Sequence, residues 1–125
     1  MTRNQLFTRL NKLCNEMQCD YNINNGGCCF VAACIAENLE KVNIPYRVIK
    51  FDLYSLHYAI KVKDRYINRE DYKSEEQVGT CCQDSEDLFT RYYEGYWNPE
   101  YNRQWNLIVS TKINSLFKKY ENSRT

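Results

Sequence analysis

Hydrophobic residues recur at helical spacing in two segments of the N-terminal third of the chain. Residues 3–18 place apolar side chains three or four positions apart behind Thr2, a residue suited to an N-terminal cap, and therefore predict an amphipathic helix. A second apolar run covers about residues 28–42 and ends at Asn43, with Pro45 just beyond. The stretch between the two runs is rich in asparagine and glycine and predicts a turn.

The hydrophobic period then shortens to two. Residues 46–51 are β-branched and aromatic and predict a strand. Residues 57–63 alternate in polarity and predict a second strand, one face of which carries Tyr58, Ile60 and Val62. A turn predicted at Asp64-Arg65 leads into a return strand that begins at residues 66–68. These three strands predict a small antiparallel meander.

The C-terminal part of the chain predicts two further helices. One extends over about residues 86–94, with a serine before it and a glycine after it. The other begins near Asn98-Pro99 and continues at helical spacing toward the C-terminus. Residues 69–83 are polar and irregular and predict no element. We therefore expect an α+β fold in a single domain of residues 1–125, with the residue 28–42 helix on a sheet of about three strands, an N-terminal helix and two C-terminal helices.

Composition and charge narrow the class of protein. Apolar residues make up 43% and charged residues 26% of the 125 residues, with a net charge of +1. No basic stripe or acidic block stands out, so neither nucleic acid nor a membrane surface is an expected partner. The N-terminus lacks the apolar run of roughly 7–15 residues found in signal peptides, and no stretch is long enough to span a bilayer. We expect a cytoplasmic protein, and the sequence leaves its oligomeric state open.

Seven cysteines are present, an odd number that includes two adjacent pairs. Adjacent cysteines bridge each other only with strain, and a reducing compartment keeps thiols reduced, so most of these side chains are expected to be small buried apolar groups. Zinc bound by Cys14, Cys19 and either Cys81 or Cys82 is the metal-binding alternative. Because the chain has no CxxC pair, we expect neither a metal nor another cofactor.

The candidate chemistry centres on Cys28, which follows two glycines and begins a predicted helix. A thiol in the first turn of a helix lies near exposed N–H groups and the positive end of the helix dipole, which stabilise the thiolate and can bind an oxyanion. His57, the only histidine, begins a strand and is suited to accept a proton near neutral pH. Asn68 follows the next turn, where its side-chain oxygen is expected to accept the imidazole N–H and fix the tautomer.

Two segments resemble a known superfamily. Residues 27–33, Gly-Cys-Cys-Phe-Val-Ala-Ala, resemble the nucleophile helix of papain-like cysteine peptidases. Residues 57–68, His-Tyr-Ala-Ile-Lys-Val-Lys-Asp-Arg-Tyr-Ile-Asn, resemble the histidine strand and third-residue strand of that superfamily and of its NlpC/P60 relatives, in the unpermuted order Cys, His, Asn. The resemblance covers roughly residues 22–70. It implies a thiol hydrolase that cleaves a peptide, isopeptide or related amide bond of a protein or peptide substrate through an acyl-enzyme, without a metal.

The resemblance leaves two alternatives at the nucleophile. Papain-type enzymes carry an amide side chain six residues before the nucleophile, and Asn22 occupies that position relative to Cys28. An aromatic residue usually follows the nucleophile directly, which would make Cys29 the nucleophile and Phe30 the aromatic residue. Helical geometry favours Cys28, because it lies on the stripe expected to face the sheet that carries His57.

The third catalytic residue and the activity also have alternatives. A tight turn at Asp64-Arg65 would place residue 71 or 72 across from His57, which makes Asp71 a rival to Asn68. The alternative function is a catalytically inactive papain-like fold that acts as a protein-binding module, for example a viral or phage protein that binds a host partner. The aromatic residues of the C-terminal half would then form the contact surface.

Overall fold

A computed structural model of the chain describes residues 1–21, 28–52, 56–68, 82–84 and 103–123. Over these residues the fold is α+β, as predicted, with three helices and four strands. Their order is α1 (Arg3–Tyr21), α2 (Cys28–Lys41), β1 (Arg47–Asp52), β2 (Leu56–Val62), β3 (Arg65–Ile67), β4 (Cys82–Asp84) and α3 (Arg103–Asn122). The helix predicted at about residues 86–94 and the helix start predicted near Asn98-Pro99 lie outside the described residues.

The N-terminus of α1 is closed by reciprocal hydrogen bonds between Thr2 and Gln5. The Gln5 N–H donates to Thr2 Oγ1 over 3.2 Å, and the Thr2 N–H donates to Gln5 Oε1 over 2.8 Å. This capping box satisfies two amide groups that the first turn of a helix leaves without partners. The prediction that Thr2 caps the first helix is confirmed, and the apolar stripe behind it is buried at Leu6, Leu10, Cys14 and Met17.

The C-terminus of α2 ends in a Schellman motif. Asn43 adopts a left-handed conformation with φ of 58°, and its N–H donates to Glu40 O over 3.2 Å. The Ile44 N–H donates to Leu39 O over 3.0 Å, and both of these side chains are buried. Asparagine tolerates this conformation better than most residues, which explains why the helix stops here. The chain then reaches β1 after only a short connection.

The sheet is antiparallel and has the strand order β3-β2-β1-β4. The three predicted strands are confirmed to within one residue at each end. Val62 pairs with Arg65, so the β2–β3 turn consists of Lys63 and Asp64, one residue earlier than predicted. Lys63 provides the positive φ, 54°, that the tight turn needs. The sequence did not predict β4, because three residues within a polar stretch show no measurable period.

Strand register divides the sheet into two faces. Val48, Ile60 and Ile67 are paired across three strands and lie on the face that α2 covers. The opposite face carries a smaller buried cluster, which consists of Ile49, Phe51, Ala59 and Tyr66. The predicted grouping of Tyr58, Ile60 and Val62 on one face is confirmed, and that face is the helix-covered one. All three helices therefore form one layer on one side of the sheet.

Helix α3 packs against both α1 and α2. It buries one side chain per turn, at Val109, Ile113, Phe117 and Tyr120. A polar contact joins α2 to α3, since Asn38 Nδ2 donates to Asn114 Oδ1 over 2.8 Å. No helix in the described part of the chain has the length and apolarity needed to cross a bilayer.

Candidate active site

Cys28 and Cys29 occupy the first turn of α2 and are 4% and 7% exposed. Every side chain of residues 28–36 is buried. This half of the helix is therefore covered all round, as expected for a helix packed against both β2 and α3. The predicted stripe does not separate the two thiols, so the preference for Cys28 stays a prediction.

A short connection relates α2 to the strands that carry His57 and its partner. Residues 42–46 connect the end of α2 directly to Arg47, which pairs with Lys61 near the end of β2. The 14 residues of α2 and the seven residues of β2 both extend roughly 20 Å. Helix α2 packs against β2, and its C-terminal end is the end from which the chain returns to the start of β1.

The imidazole of His57 is on the face of the sheet opposite to α2. His57 pairs with Phe51 across β1 and β2, and the two ring centroids are 6.4 Å apart. Phe51 belongs to the smaller cluster, whereas the neighbouring Tyr58 packs with α2. The sequence predicted that the Cys28 stripe faces the sheet that carries His57, and in the structure the imidazole lies on the far face of that sheet. Cys28 begins a helix on one face of the sheet, whereas His57 lies on the other face, because neighbouring residues of a strand alternate.

His57 is held by the main chain of Asn68. The imidazole Nε2 lies 2.9 Å from the Asn68 carbonyl oxygen, and His57 itself is only 3% exposed. A carbonyl oxygen can only accept, so Nε2 carries the hydrogen. In the neutral ring Nδ1 then keeps its lone pair and can accept a proton. The predicted residue therefore contacts His57, but through its backbone carbonyl rather than its side-chain oxygen.

The backbone of Asn68 explains this difference. Its φ is 64°, in the left-handed region that asparagine tolerates, so the chain bends directly after β3. Its side-chain Nδ2 donates to Tyr58 O over 3.4 Å. The side chain is engaged with the main chain of β2, and the bend directs the carbonyl group toward His57.

Sequence reasoning missed Asn11, a buried residue of α1 that is 3% exposed. Its Oδ1 accepts the Asn68 N–H over 2.9 Å, and its Nδ2 donates to Tyr66 O over 3.1 Å. A signal was present in the sequence. Asn11 lies four residues after Phe7 and three before Cys14, so it is a polar residue on the apolar side of a predicted helix. Such a residue requires a specific hydrogen-bond partner.

Burial lowers the reactivity of two thiols outside the candidate site, Cys14 and Cys34. Burial raises the pKa of the Cys14 thiol to about 12. Burial and then the nearby Glu37 carboxylate raise the pKa of the Cys34 thiol to about 12. Both are therefore protonated near neutral pH and are poor nucleophiles. Cys14, Cys19, Cys28, Cys29 and Cys34 are all free thiols.

Two candidates from the sequence lie outside the described residues, namely Asn22 and Asp71. The ladder of β3 ends at Ile67, and Asn68 bends away, so register assigns no partner beyond that point. Within the described ranges, no three His, Cys, Asp or Glu side chains are grouped as metal ligands.

Comparison with protein-family models, with curated proteins and with solved structures found no match to this chain.

Proposed function

We propose that this chain is a thiol hydrolase of the papain-like type, with Cys28 as nucleophile and His57 as general base. The 2.9 Å contact between His57 Nε2 and Asn68 O carries the proposal. It commits the neutral imidazole to the tautomer whose Nδ1 accepts protons, which is the form that a general base needs. It also gives the third predicted residue the orienting role that such a base requires.

The reaction would proceed through a covalent acyl-enzyme. Nδ1 of His57 takes the thiol proton of Cys28, and the sulfur attacks the carbonyl carbon of a peptide, isopeptide or related amide. The imidazolium then protonates the leaving amine as the C–N bond breaks. A water molecule, deprotonated by the same Nδ1, attacks the thioester and releases the acid. Amide N–H groups in the first turn of α2 can stabilise the oxyanion at both stages.

The proposal requires the sulfur and Nδ1 to meet at the end of β2 that begins with Leu56. His57 is the second residue of that strand, so only Leu56 lies between it and the end of the sheet, and the sulfur has to approach an imidazole that Asn68 O holds in place. In the conformation described, the exposed fractions of Cys28 and His57 are 4% and 3%, so a substrate carbonyl needs a movement of the surrounding chain to reach the sulfur. The thiol state of the described cysteines supports the further proposal of a cytoplasmic protein.

The rate of iodoacetamide modification, measured for each cysteine against pH, tests the proposal. We expect Cys28 to reach half of its maximal rate below pH 8.5, the approximate pKa of a model thiol. The His57→Ala variant should move that midpoint upward, because the imidazole no longer takes the proton. Cys14 and Cys34 serve as buried controls that stay unmodified near neutral pH, and the exposed Cys19 reports the reagent's intrinsic reactivity.

The identity of the nucleophile needs a matched pair of variants. Electrophilic peptide and ubiquitin-type probes should form a covalent adduct at Cys28, located by mass spectrometry of the digested protein. Cys28→Ser should abolish the adduct, whereas Cys29→Ser should retain it. The reverse result would assign the nucleophile to Cys29. Thiols that all titrate alike, with no adduct at either position, would remove the support for a hydrolase.

The burial of Cys28 and His57 favours one alternative, a protein-binding module that keeps the fold without catalysis. In that case the contact between His57 and Asn68 serves only to satisfy a buried imidazole. A module of this kind should bind its partner equally well after Cys28→Ser and His57→Ala. A hydrolase loses probe labelling in both variants.

A further inference from the structure

The end of β3 is held from outside the sheet by α1. β3 is an edge strand of the described sheet, so its outward N–H and C=O groups face away from β2. Asn11 contacts two main-chain groups at this edge, since its Nδ2 donates to Tyr66 O and its Oδ1 accepts the Asn68 N–H. The side-chain amide thus takes the place of the peptide group that a further strand would supply.

A second contact joins the same two elements at the other end of β3. Arg65 donates to Asn4 O over 3.2 Å and to Thr8 Oγ1 over 2.9 Å. Asn4, Thr8 and Asn11 are spaced at i, i+4 and i+7, so they form one stripe of α1. The stripe follows β3 from its first residue to the bend at Asn68. The Arg65 contacts are exposed, whereas those of Asn11 are buried.

The Asn11 contact reaches His57 through one residue. The Asn68 N–H donates to Asn11 Oδ1 over 2.9 Å, and the Asn68 carbonyl oxygen lies 2.9 Å from His57 Nε2. The left-handed φ of 64° at Asn68 is a conformation that its surroundings have to maintain. A hydrogen bond to its N–H restricts the peptide that precedes it, and so limits how the bend can rotate.

We propose that Asn11 is a positioning residue for His57. By holding the bend at Asn68, it keeps the carbonyl aimed at Nε2 and thereby selects the tautomer with the proton on Nε2. Asn11 does not touch the imidazole, and its role for the reaction rests on the proposed function of His57 as a base. The selection of the tautomer, however, is a property of the folded chain and can be measured without any substrate.

The tautomer ratio of His57 tests the proposal. Long-range proton–nitrogen correlation spectra of ¹⁵N-labelled protein, recorded where the ring is neutral, distinguish the two forms. The spectrum needs no assignment, because the chain contains one histidine. In the unsubstituted protein we expect the Nε2–H form to dominate. Asn11→Ala should lower the ratio of Nε2–H to Nδ1–H about tenfold, which corresponds to the loss of roughly one hydrogen bond's preference.

Arg65→Met is the matched control, because it removes two hydrogen bonds between α1 and β3 without touching Asn68. It should leave the ratio within about twofold of the unsubstituted protein. An equal change in Arg65→Met and Asn11→Ala would show a general loosening of β3 and overturn the proposal.

If Asn11→Ala folds and its ratio of Nε2–H to Nδ1–H tautomers is unchanged, the proposal is also overturned. Asn11 then only attaches α1 to the edge of β3. If Asn11→Ala does not fold, Asn11→Ser decides by the same ratio, since its hydroxyl is one bond too short to replace the amide oxygen. Both outcomes are independent of thiol reactivity. A chain whose Cys28 proves unreactive can still show the tautomer change, and a reactive Cys28 can coexist with an unchanged ratio.

Discussion

Alternate residues of β2 form two faces that differ in polarity and in what they contact. The face toward α2 is apolar, and it joins the large cluster of the helix layer through Tyr58, Ile60 and Val62. The opposite face combines a small apolar cluster with groups that carry charge or protons, namely His57 and Lys61. One face therefore contributes most of the burial, and the other carries the candidate chemistry.

The comparison shows where stability and chemistry separate in this fold. A histidine on the helix-covered face would have to be buried among the apolar side chains of the large cluster. On the opposite face, the bend after β3 brings the Asn68 carbonyl to the ring. As a result, the two proposed catalytic residues lie in different environments. Cys28, which begins α2, belongs to the large apolar cluster, and His57 does not.

The largest expected effect on stability comes from truncating one buried isoleucine on each face to alanine. Ile60 and Ile49 are both fully buried, one in the large cluster and the other in the small one. Ile60→Ala should lower the free energy of unfolding by about 4 kcal/mol, and Ile49→Ala by about 2–3 kcal/mol, because the larger, close-packed cluster relaxes less around a cavity. Urea denaturation monitored by circular dichroism measures both.

Equal losses would indicate that the two faces are packed equally well, which would break the comparison. A loss below about 1 kcal/mol for Ile60→Ala would contradict the packing of α2 on this face. The slope of the unfolding free energy with urea should stay unchanged in both variants, since neither alters the surface exposed on unfolding.

The arrangement of the two faces could largely be predicted from the sequence. The alternation of residues 57–63 already separates His57 from Tyr58 and Ile60, and the capping residues at Thr2 and Asn43 fix the ends of two helices. The contact between His57 and Asn68 was predicted at the level of residues. The atom of Asn68 that makes the contact was not predicted. Whether its side chain or its carbonyl group faces the ring depends on φ at Asn68, and the sequence does not specify this angle.

Long-range polar contacts were beyond sequence reasoning for a different reason. Asn11 and Asn68 are 57 positions apart, and nothing in either local pattern identifies the other as its partner. The strand β4 also depends on a tertiary contact, since three residues become a strand only by pairing with β1. The helical stripe of α2 failed to separate Cys28 from Cys29 because α2 is covered on more than one side.

The alkaline stability of the protein should report the helix layer specifically. Burial raises the pKa of Cys14 to about 12, whereas the unfolded thiol titrates near 8.5. The unfolded chain therefore loses this proton first, and stability that is fully present below about pH 8.5 falls as the pH rises toward 12. The expected loss is about 1.4 kcal/mol per pH unit for this thiol, or about 2 kcal/mol by pH 10.

Urea denaturation at pH 7, 9 and 10 measures this dependence. Cys14→Ala should be less stable than the unsubstituted protein at pH 7, because a buried group is removed, yet its stability should fall less steeply above pH 8.5. Cys19→Ala, at an exposed position on the same helix, should keep the original slope. If Cys14→Ala also keeps that slope, the alkaline loss arises elsewhere in the molecule.

The smallest expected effect belongs to the opposite face. Lys61 is half-buried, and its Nζ lies 5.3 Å from the centre of the Tyr66 ring, within range of a cation–π contact. Lys61→Met keeps the apolar stem and removes the charge, so it should lower the free energy of unfolding by about 0.5–1 kcal/mol. Lys118→Met removes the same charge from an exposed site on α3 and should change stability by less than about 0.5 kcal/mol.

Because the contact between Lys61 and Tyr66 lies near the surface of the sheet, 1 M NaCl should reduce the difference in stability between the two variants. A gain in stability for Lys61→Met would show that this face tolerates an apolar surface as well as the helix-covered face does, and the distinction between the faces would then rest on His57 alone.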